Sequence, residues 1–368
     1  MSPPPLSGPS VLALVPDKSG PSLWRVLQPV TALQKRGYGA AWDYKGARGI
    51  GDVAPFFDGI SLSRLSWPAR QRHLAERWFG AVHAVGKFIV YDADDDLFTS
   101  QLTRRAFELG WTDGKSYAEL ESERFERIWA MTQCDGVTVS TQRLATLVRS
   151  YTNRPVVVVP NAIDVDWFRS IVRTTKRQTP GLTIGWAGGR RPDADVEPMA
   201  VAWANIAERY AEVTFVVQGH VPTAVTERLP PERLVVLPWM PLETYPSGLV
   251  EVDIACCAVA DNPFNRCKSP IKAYEAALAG AVVVATPTVY GSTIEHGQNG
   301  YVAETAEDWV TALSELVESP RRRRIMALRL LRDVERTCSL TENVWRWPDA
   351  WETIAEDMRS RRGKLILA

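Results

Sequence analysis

The sequence predicts an α/β protein made of two Rossmann-like, doubly wound domains facing each other across a cleft. Three observations carry this expectation. Short, wholly apolar runs such as VLALV, VVVV, IACC and AVVVA alternate with stretches of helical periodicity, the pattern of parallel strands covered on both faces. Two such series occur, one on each side of residue 165. The chain has 368 residues, of which 45% are hydrophobic, enough for two separately cored domains.

The elements follow in order. Residues 1–10, MSPPPLSGPS, are Pro/Ser-rich and read as a flexible tail. The first domain, 11–165, opens on the strand VLALVPD. A helix over SLWRVLQPVTALQKRGYG is started or interrupted near Pro29 and closed by Gly37. GAAWDY is a strand, and PARQRHLAERWFGAVHAVG a helix with Leu74, Trp78, Val82 and Val85 at helical spacing. KFIVYDADDD is a strand ending in acids. SERFERIWAMTQC is a helix, GVTVST a strand and QRLATLVRSY a helix, and RPVVVVPNAIDVDWF supplies a strand and a Pro-Asn turn. The second domain, 166–340, begins with the strand LTIGWAGG and the helix VEPMAVAWANIAERY. VTFVVQG, RLVVLPWM, VDIACCAV and GAVVVATPT are its further strands. The RRRR run at 321–324 reads as a solvated, ion-paired helix face. Residues 341–368 carry a terminal helix, WPDAWETIAEDMRSRR, expected to pack back on the N-terminal domain.

Composition narrows the function classes. Lys plus Arg and Asp plus Glu are 43 each, so the net charge is zero. That removes a globally basic field as an argument for nucleic acid, leaving a local basic groove open. The five Cys are odd in number and the four His are scattered. Free thiols and no metal site are expected. The N-terminus lacks a charged region before its short apolar run, so it does not read as a signal peptide. No apolar stretch reaches the length of a membrane span. A cytoplasmic protein with no integral membrane segment is expected, with peripheral membrane contact open.

The segment CKSPIKAYEAALAGAVVVAT, 267–286, concentrates the chemistry. Ser269 suits an N-cap, Pro270 the first helical position and Gly280 the helix end. Ile271, Tyr274 and Leu278 then share the buried face, with Glu275 at its edge. A buried carboxylate needs a partner. Lys272, three residues earlier, is the structural candidate. A ribose is the functional one, because an ionised carboxylate accepts from two adjacent hydroxyls. The helix start offers free N–H groups and the positive dipole end. Arg266, Lys268 and the Ser269 hydroxyl stand beside it as candidates for a phosphate or diphosphate.

Beyond this, DNPFNRCKSPIKAYEAALAGAVVVATPTVYGSTIEHGQNGYVAETAEDWVTALSEL resembles the nucleotide-binding half of GT-B glycosyltransferases of family 4. Glu275 matches the second Glu of their Glu-x7-Glu segment. Ala279-Gly280 matches the small pair, and Gly297-Gln298-Asn299-Gly300 the later turn. Pro160-Asn161-Ala162-Ile163-Asp164 resembles the interdomain crossing, and LTIGWAGG the first strand of the second domain. Cys267 stands where the first Glu, a donor-sugar contact, is usual. NRCKSPIKAYE instead resembles a branch reading Lys-Ser-x-x-Lys-x-x-Glu. The resemblance implies transfer of a sugar from a nucleoside-diphosphate sugar to an acceptor hydroxyl, usually with retention, with no bound metal and no cofactor beyond the donor. It implies a diphosphate held by Lys268, Ser269 and Arg190 or Arg191, the last two following Gly188-Gly189, and a ribose held by Glu275.

In the first half, YDADDDLF places Asp92, Asp94, Asp95 and Asp96 at the carboxyl end of a strand, the edge where ligands bind in open α/β sheets. So many neighbouring carboxylates repel unless some are paired, protonated or ligand-bound. They are read as contacts to an acceptor hydroxyl or sugar, or as partners of Arg25 and Arg70; a capped turn is the structural alternative. A nucleotide-sugar epimerase and a non-catalytic nucleotide-sugar or glycan-binding protein remain alternatives. The acceptor stays open among a glycan, a small molecule, a protein and a hydroxymethylated DNA base.

Overall fold

The computed structural model describes residues 6–44 and 54–366. It divides into two compact units. The first runs to Ala162 and takes in Cys267–Ser269 and the chain from Leu340 onward; the second is Ile163–Arg266 with Pro270–Ser339.

The first unit holds a six-stranded sheet in the order β2-β1-β3-β4-β5-β6. Its strands are β1 Val11–Val15, β2 Ala40–Tyr44, β3 Gly59–Ser63, β4 Phe88–Ala93, β5 Gly136–Val139 and β6 Val156–Val158. All its pairings are parallel. Every residue of β1, β3, β4 and β5 is buried, as parallel strands covered on both faces require. One face is covered by Phe79, Val82 and Met131 among others. The other is covered by Val26, Val30 and Leu33 together with Trp347, Trp351 and Ile354 of the helix Arg346–Ile366.

The interruption expected near Pro29 is a change of winding, and the α-helix Gln28–Lys35 carries Pro29 in its first turn. The chain is helical from 20 to 35, and a π-helical turn at Leu23–Leu27 leads into Pro29 and accommodates its missing N–H. That turn carries Arg25 into the interior, where it is 1% exposed. In the helix Arg72–Ala84 the buried face is Ala75, Phe79 and Val82, while Leu74 and Val85 are exposed. The apolar stripe is displaced by one residue because Phe79, against Trp67 and Trp129, sets the rotation.

The second unit holds a parallel sheet in the order β12-β11-β10-β7-β8-β9. Its strands are β7 Leu182–Gly188, β8 Val213–Gly219, β9 Leu234–Leu237, β10 Ile254–Cys257, β11 Val282–Ala285 and β12 Tyr301–Val302. Counted from β7 this is the Rossmann order 3-2-1-4-5-6. The chain leaves β7 toward β8 on one side and returns through β10 on the other. The two therefore flank the topological switch point, outside whose carboxyl edge ligands bind in such sheets.

Candidate functional site

At that switch point the second unit has a cavity of about 30 Å³, lined by Trp186, Arg191, Tyr245, Lys272, Glu275 and Tyr290 among others. Its elements meet there for local reasons. β7 ends in Gly188-Gly189. A Cβ on Gly188 would lie 2.6 Å from the Trp186 ring and 3.2 Å from an Arg191 nitrogen, whereas one on Gly189 would make only ordinary contact with Trp239. The missing side chain at Gly188 lets Arg191 fold back over Trp186, its guanidinium 4.9 Å from the ring centroid, and donate to the Ala258 carbonyl at 3.0 Å. Gly188→Ala is therefore expected to displace Arg191 and weaken anion binding at this edge at least tenfold, with Gly189→Ala near wild type. Calorimetric titration of uridine diphosphate into both variants checks this.

The helix Ile271–Ala279 presents Glu275, which is 1% exposed. Gly280, at φ 93°, closes the helix in the left-handed conformation. The Tyr245 hydroxyl donates to Glu275 Oε2 at 2.8 Å. Lys272 Nζ lies 3.0 Å from the same oxygen and donates to the Tyr245 hydroxyl at 2.6 Å. Burial first, then the adjacent Glu275 charge, push the Tyr245 phenol well above its ordinary range, so it stays a neutral donor. Lys272, the structural candidate named above, is thus a partner of Glu275 in this arrangement.

The residues expected to hold a diphosphate at the start of this helix are divided between the two units. The helix begins at Ile271, capped by Pro270 with no side-chain cap. Ser269 is not its N-cap, because its hydroxyl accepts from Asn161 Nδ2 at 2.8 Å. Lys268 and Ser269 belong to the first unit, drawn there by Cys267. The Cys267 side chain packs in that unit's core, and its carbonyl accepts from Thr141 at 2.9 Å. Burial pushes the Cys267 thiol up to about 12. Lys268 pairs with Asp95 at 2.9 Å. Arg266 is held by Asp261, and Arg190 is exposed.

The acidic cluster of the first unit separates into distinct roles. Asp92, expected among the substrate contacts, is fully buried. Arg25 grips it through Nη2 at 2.7 Å and Nε at 3.2 Å, and Thr138 donates to it at 2.8 Å. Arg25 also donates to Asn161 Oδ1 at 3.0 Å and lies over the Trp347 ring. A chain of bonds thus runs from Asp92 through Arg25 and Asn161 to Ser269. Asp96 is the capped turn, accepting from the N–H groups of Phe98 and Thr99.

Asp94 differs from both. Its Oδ1 is buried without a hydrogen bond, and burial, then the neighbouring Asp95 charge, raise its carboxyl to about 6. The folded state thus holds this proton more tightly than the unfolded chain. Its contribution to stability falls as pH rises from about 4 to about 6 and stays low above that. Asp94→Asn is expected to melt higher than wild type at pH 7.5 and equally at pH 3.5, as pH-dependent thermal denaturation can show.

Three residues at these edges carried no signal in the sequence. Tyr245 lies thirty positions from the carboxylate it binds. Trp186 read as a strand residue. Arg64 follows β3 with φ at 55°, a left-handed conformation rare outside Gly, and donates to Ser19 at 2.7 Å at the β1–β3 switch point. Among the described residues no group of three His, Cys, Asp or Glu is placed to hold a metal ion, and no helix is long and apolar enough to cross a membrane.

Residues 181–319 match the family model described as Glycosyl transferases group 1. No curated protein sequence matches the chain. Among solved structures it is similar to Anabaena HepE in complex with UDP-glucose, at 13% identity over 96% of this chain and 100% of that one, TM-score 0.59. It is similar to sucrose-phosphate synthase from Thermosynechococcus elongatus at 11% identity, over 97% of this chain and 99% of that one, TM-score 0.58. TarM, for which a related structure gives S. aureus as the source, aligns at 11% identity over 80% of this chain, TM-score 0.55. The chain spans about half of TarM's length, 54%. At these identities the likeness shows the fold, two parallel six-stranded α/β sheets of the GT-B kind. The segment that matches the group 1 glycosyltransferase family model spans the whole sheet of the second unit, from β7 to β12.

Proposed function

We propose that this chain transfers a hexose from a uridine diphosphate sugar to an acceptor hydroxyl, with retention at the anomeric carbon. The observation that carries this is Glu275 and Lys272 lining a cavity with Arg191 at the β7–β10 switch point of the matched unit. A uridine donor is favoured because HepE, similar in fold, binds UDP-glucose. Glu275 takes the two ribose hydroxyls as an acceptor-only group. The cavity has room for about one or two waters. A ribose reaching Glu275 therefore displaces Tyr245 and Lys272 from Oε2, and Lys272 is freed to meet the diphosphate alongside Arg191. As the bond from the anomeric carbon to the diphosphate oxygen breaks, these fixed cations offset the charge gathering on the leaving group. In the first unit Lys268 and Asp95 remain candidate contacts, and Asp94, with an unpaired oxygen and a carboxyl near 6, is the group suited to accept the proton of an acceptor hydroxyl.

A thermal-shift screen of uridine, guanosine and adenosine diphosphate sugars tests the donor assignment. A uridine diphosphate sugar should raise the melting temperature, and the others should not. Proton NMR of the reaction then separates the alternatives. Product of unchanged anomeric configuration supports the proposal. Conversion of the donor's sugar without acceptor marks an epimerase, and binding without turnover marks a binding protein; either result overturns transfer.

A further inference from the structure

The arginine-rich helix Pro320–Thr337 is not the ion-paired face its sequence implies. It carries seven Arg against Asp333 and Glu335. Four of the seven have polar partners. Arg322 binds Tyr301 and Glu315, Arg323 the Val317 carbonyl, Arg329 Gln298, and Arg336 Asp333. Arg321, Arg324 and Arg332 are exposed and make no hydrogen bond or ion pair with any described residue.

Their spacing matters as much as their charge. At 100° per residue, Arg321, Ile325, Leu328 and Arg332 fall within about 60° of one another. Arg324 and Arg329 flank that stripe. Met326, Ala327, Leu330 and Val334 fill the opposite, buried face. Ile325 is 39% exposed and Leu328 43%. Beside the stripe is a pocket of about 260 Å³, walled by Val282, Ala327, Leu328 and Leu331 and rimmed by Arg324. Its one carboxylate, Asp253, is already neutralised by Arg177 at 2.8 Å.

We propose that this face docks on an anionic lipid bilayer. The unpaired guanidiniums meet lipid phosphates, Ile325 and Leu328 enter the acyl boundary, and the Leu328–Leu331 pocket accepts hydrocarbon beside Arg324. Charge alone would equally suit a nucleic acid backbone, but that partner gives no return for two solvent-facing aliphatic side chains and an apolar pocket between the arginines.

Co-sedimentation of the full chain with phosphatidylcholine vesicles, with and without equimolar phosphatidylglycerol, tests this. Wild type should bind only the anionic vesicles, with affinity falling as salt rises. Replacing Arg321, Arg324 and Arg332 together by Gln should weaken binding about a hundredfold, at about fivefold per arginine. Ile325→Ser with Leu328→Ser should weaken it about tenfold. All five side chains are exposed, and unchanged melting temperatures verify that the variants fold. Equal binding to neutral vesicles, or wild-type binding by the Gln variant, overturns the proposal. So does an Ile325/Leu328 variant that binds as wild type, which would mark a surface that reads charge alone. Retention of wild type on duplex DNA with no vesicle binding would assign the face to nucleic acid instead.

Discussion

Glu275→Gln should abolish the thermal shift given by uridine diphosphate sugars and lower kcat/KM at least a hundredfold, about 2.7 kcal/mol of transition-state stabilisation. The amide keeps the shape of the carboxylate but turns one acceptor oxygen into a donor, so it cannot take both ribose hydroxyls. Tyr245→Phe is the informative control. It keeps the ring that lies against Lys272 and removes the hydroxyl that occupies Glu275 Oε2. If Glu275 serves a ligand, this variant retains the donor shift. If Glu275 serves only to balance Lys272 and Tyr245, Glu275→Gln lowers the melting temperature of the protein alone and leaves the donor shift untouched. The two roles are thus separated by whether the ligand-dependent or the ligand-independent melting temperature moves.

Asp92→Ala should produce the largest loss of stability of any single change considered, about 3–5 kcal/mol, because it leaves the Arg25 guanidinium buried with its charge uncompensated. For a unit of this size the melting temperature should fall by roughly ten degrees. Replacing both partners, Arg25→Met with Asp92→Leu, should recover much of the loss, since two apolar side chains leave no orphaned charge. Recovery should stop short of wild type. Arg25 also holds Asn161, which in turn holds Ser269, so the double variant loosens that chain of bonds. Denaturant titration of the three proteins gives all of these differences. An Asp92→Ala protein as stable as wild type, but inactive, would return Asp92 to the role of substrate contact.

The GT-B fold was legible because its strands are wholly apolar and regularly spaced. The strands that escaped had other compositions. β3, GISLS, reads as polar because of Ser61 and Ser63, yet both are buried. β12 is only the pair Tyr301–Val302. The helix Ser100–Glu108 was hidden in a polar stretch and is fixed by its Thr99 cap. At the candidate site, what lay within one helix could be read. The three-residue spacing of Lys272 and Glu275 proposed their contact, and Gly280 the helix end. What depends on tertiary placement could not. Nothing in YDADDDLF tells which acid faces Arg25. That is decided by strand alternation together with the π-helical turn that carries Arg25 inward. Nor does RCKS reveal that Cys267 anchors Lys268 in the first unit while Lys272, four residues on, belongs to the second.

Hydrogen–deuterium exchange with and without uridine diphosphate tests the central claim most directly, because it reports where the nucleotide sits regardless of turnover. The predicted result is protection concentrated at 185–191, 245–249 and 271–276, three of the segments that line the β7–β10 cavity, and its loss in Glu275→Gln. Protection elsewhere in the chain with these segments unchanged would contradict the assignment of the nucleotide to Glu275 and Arg191.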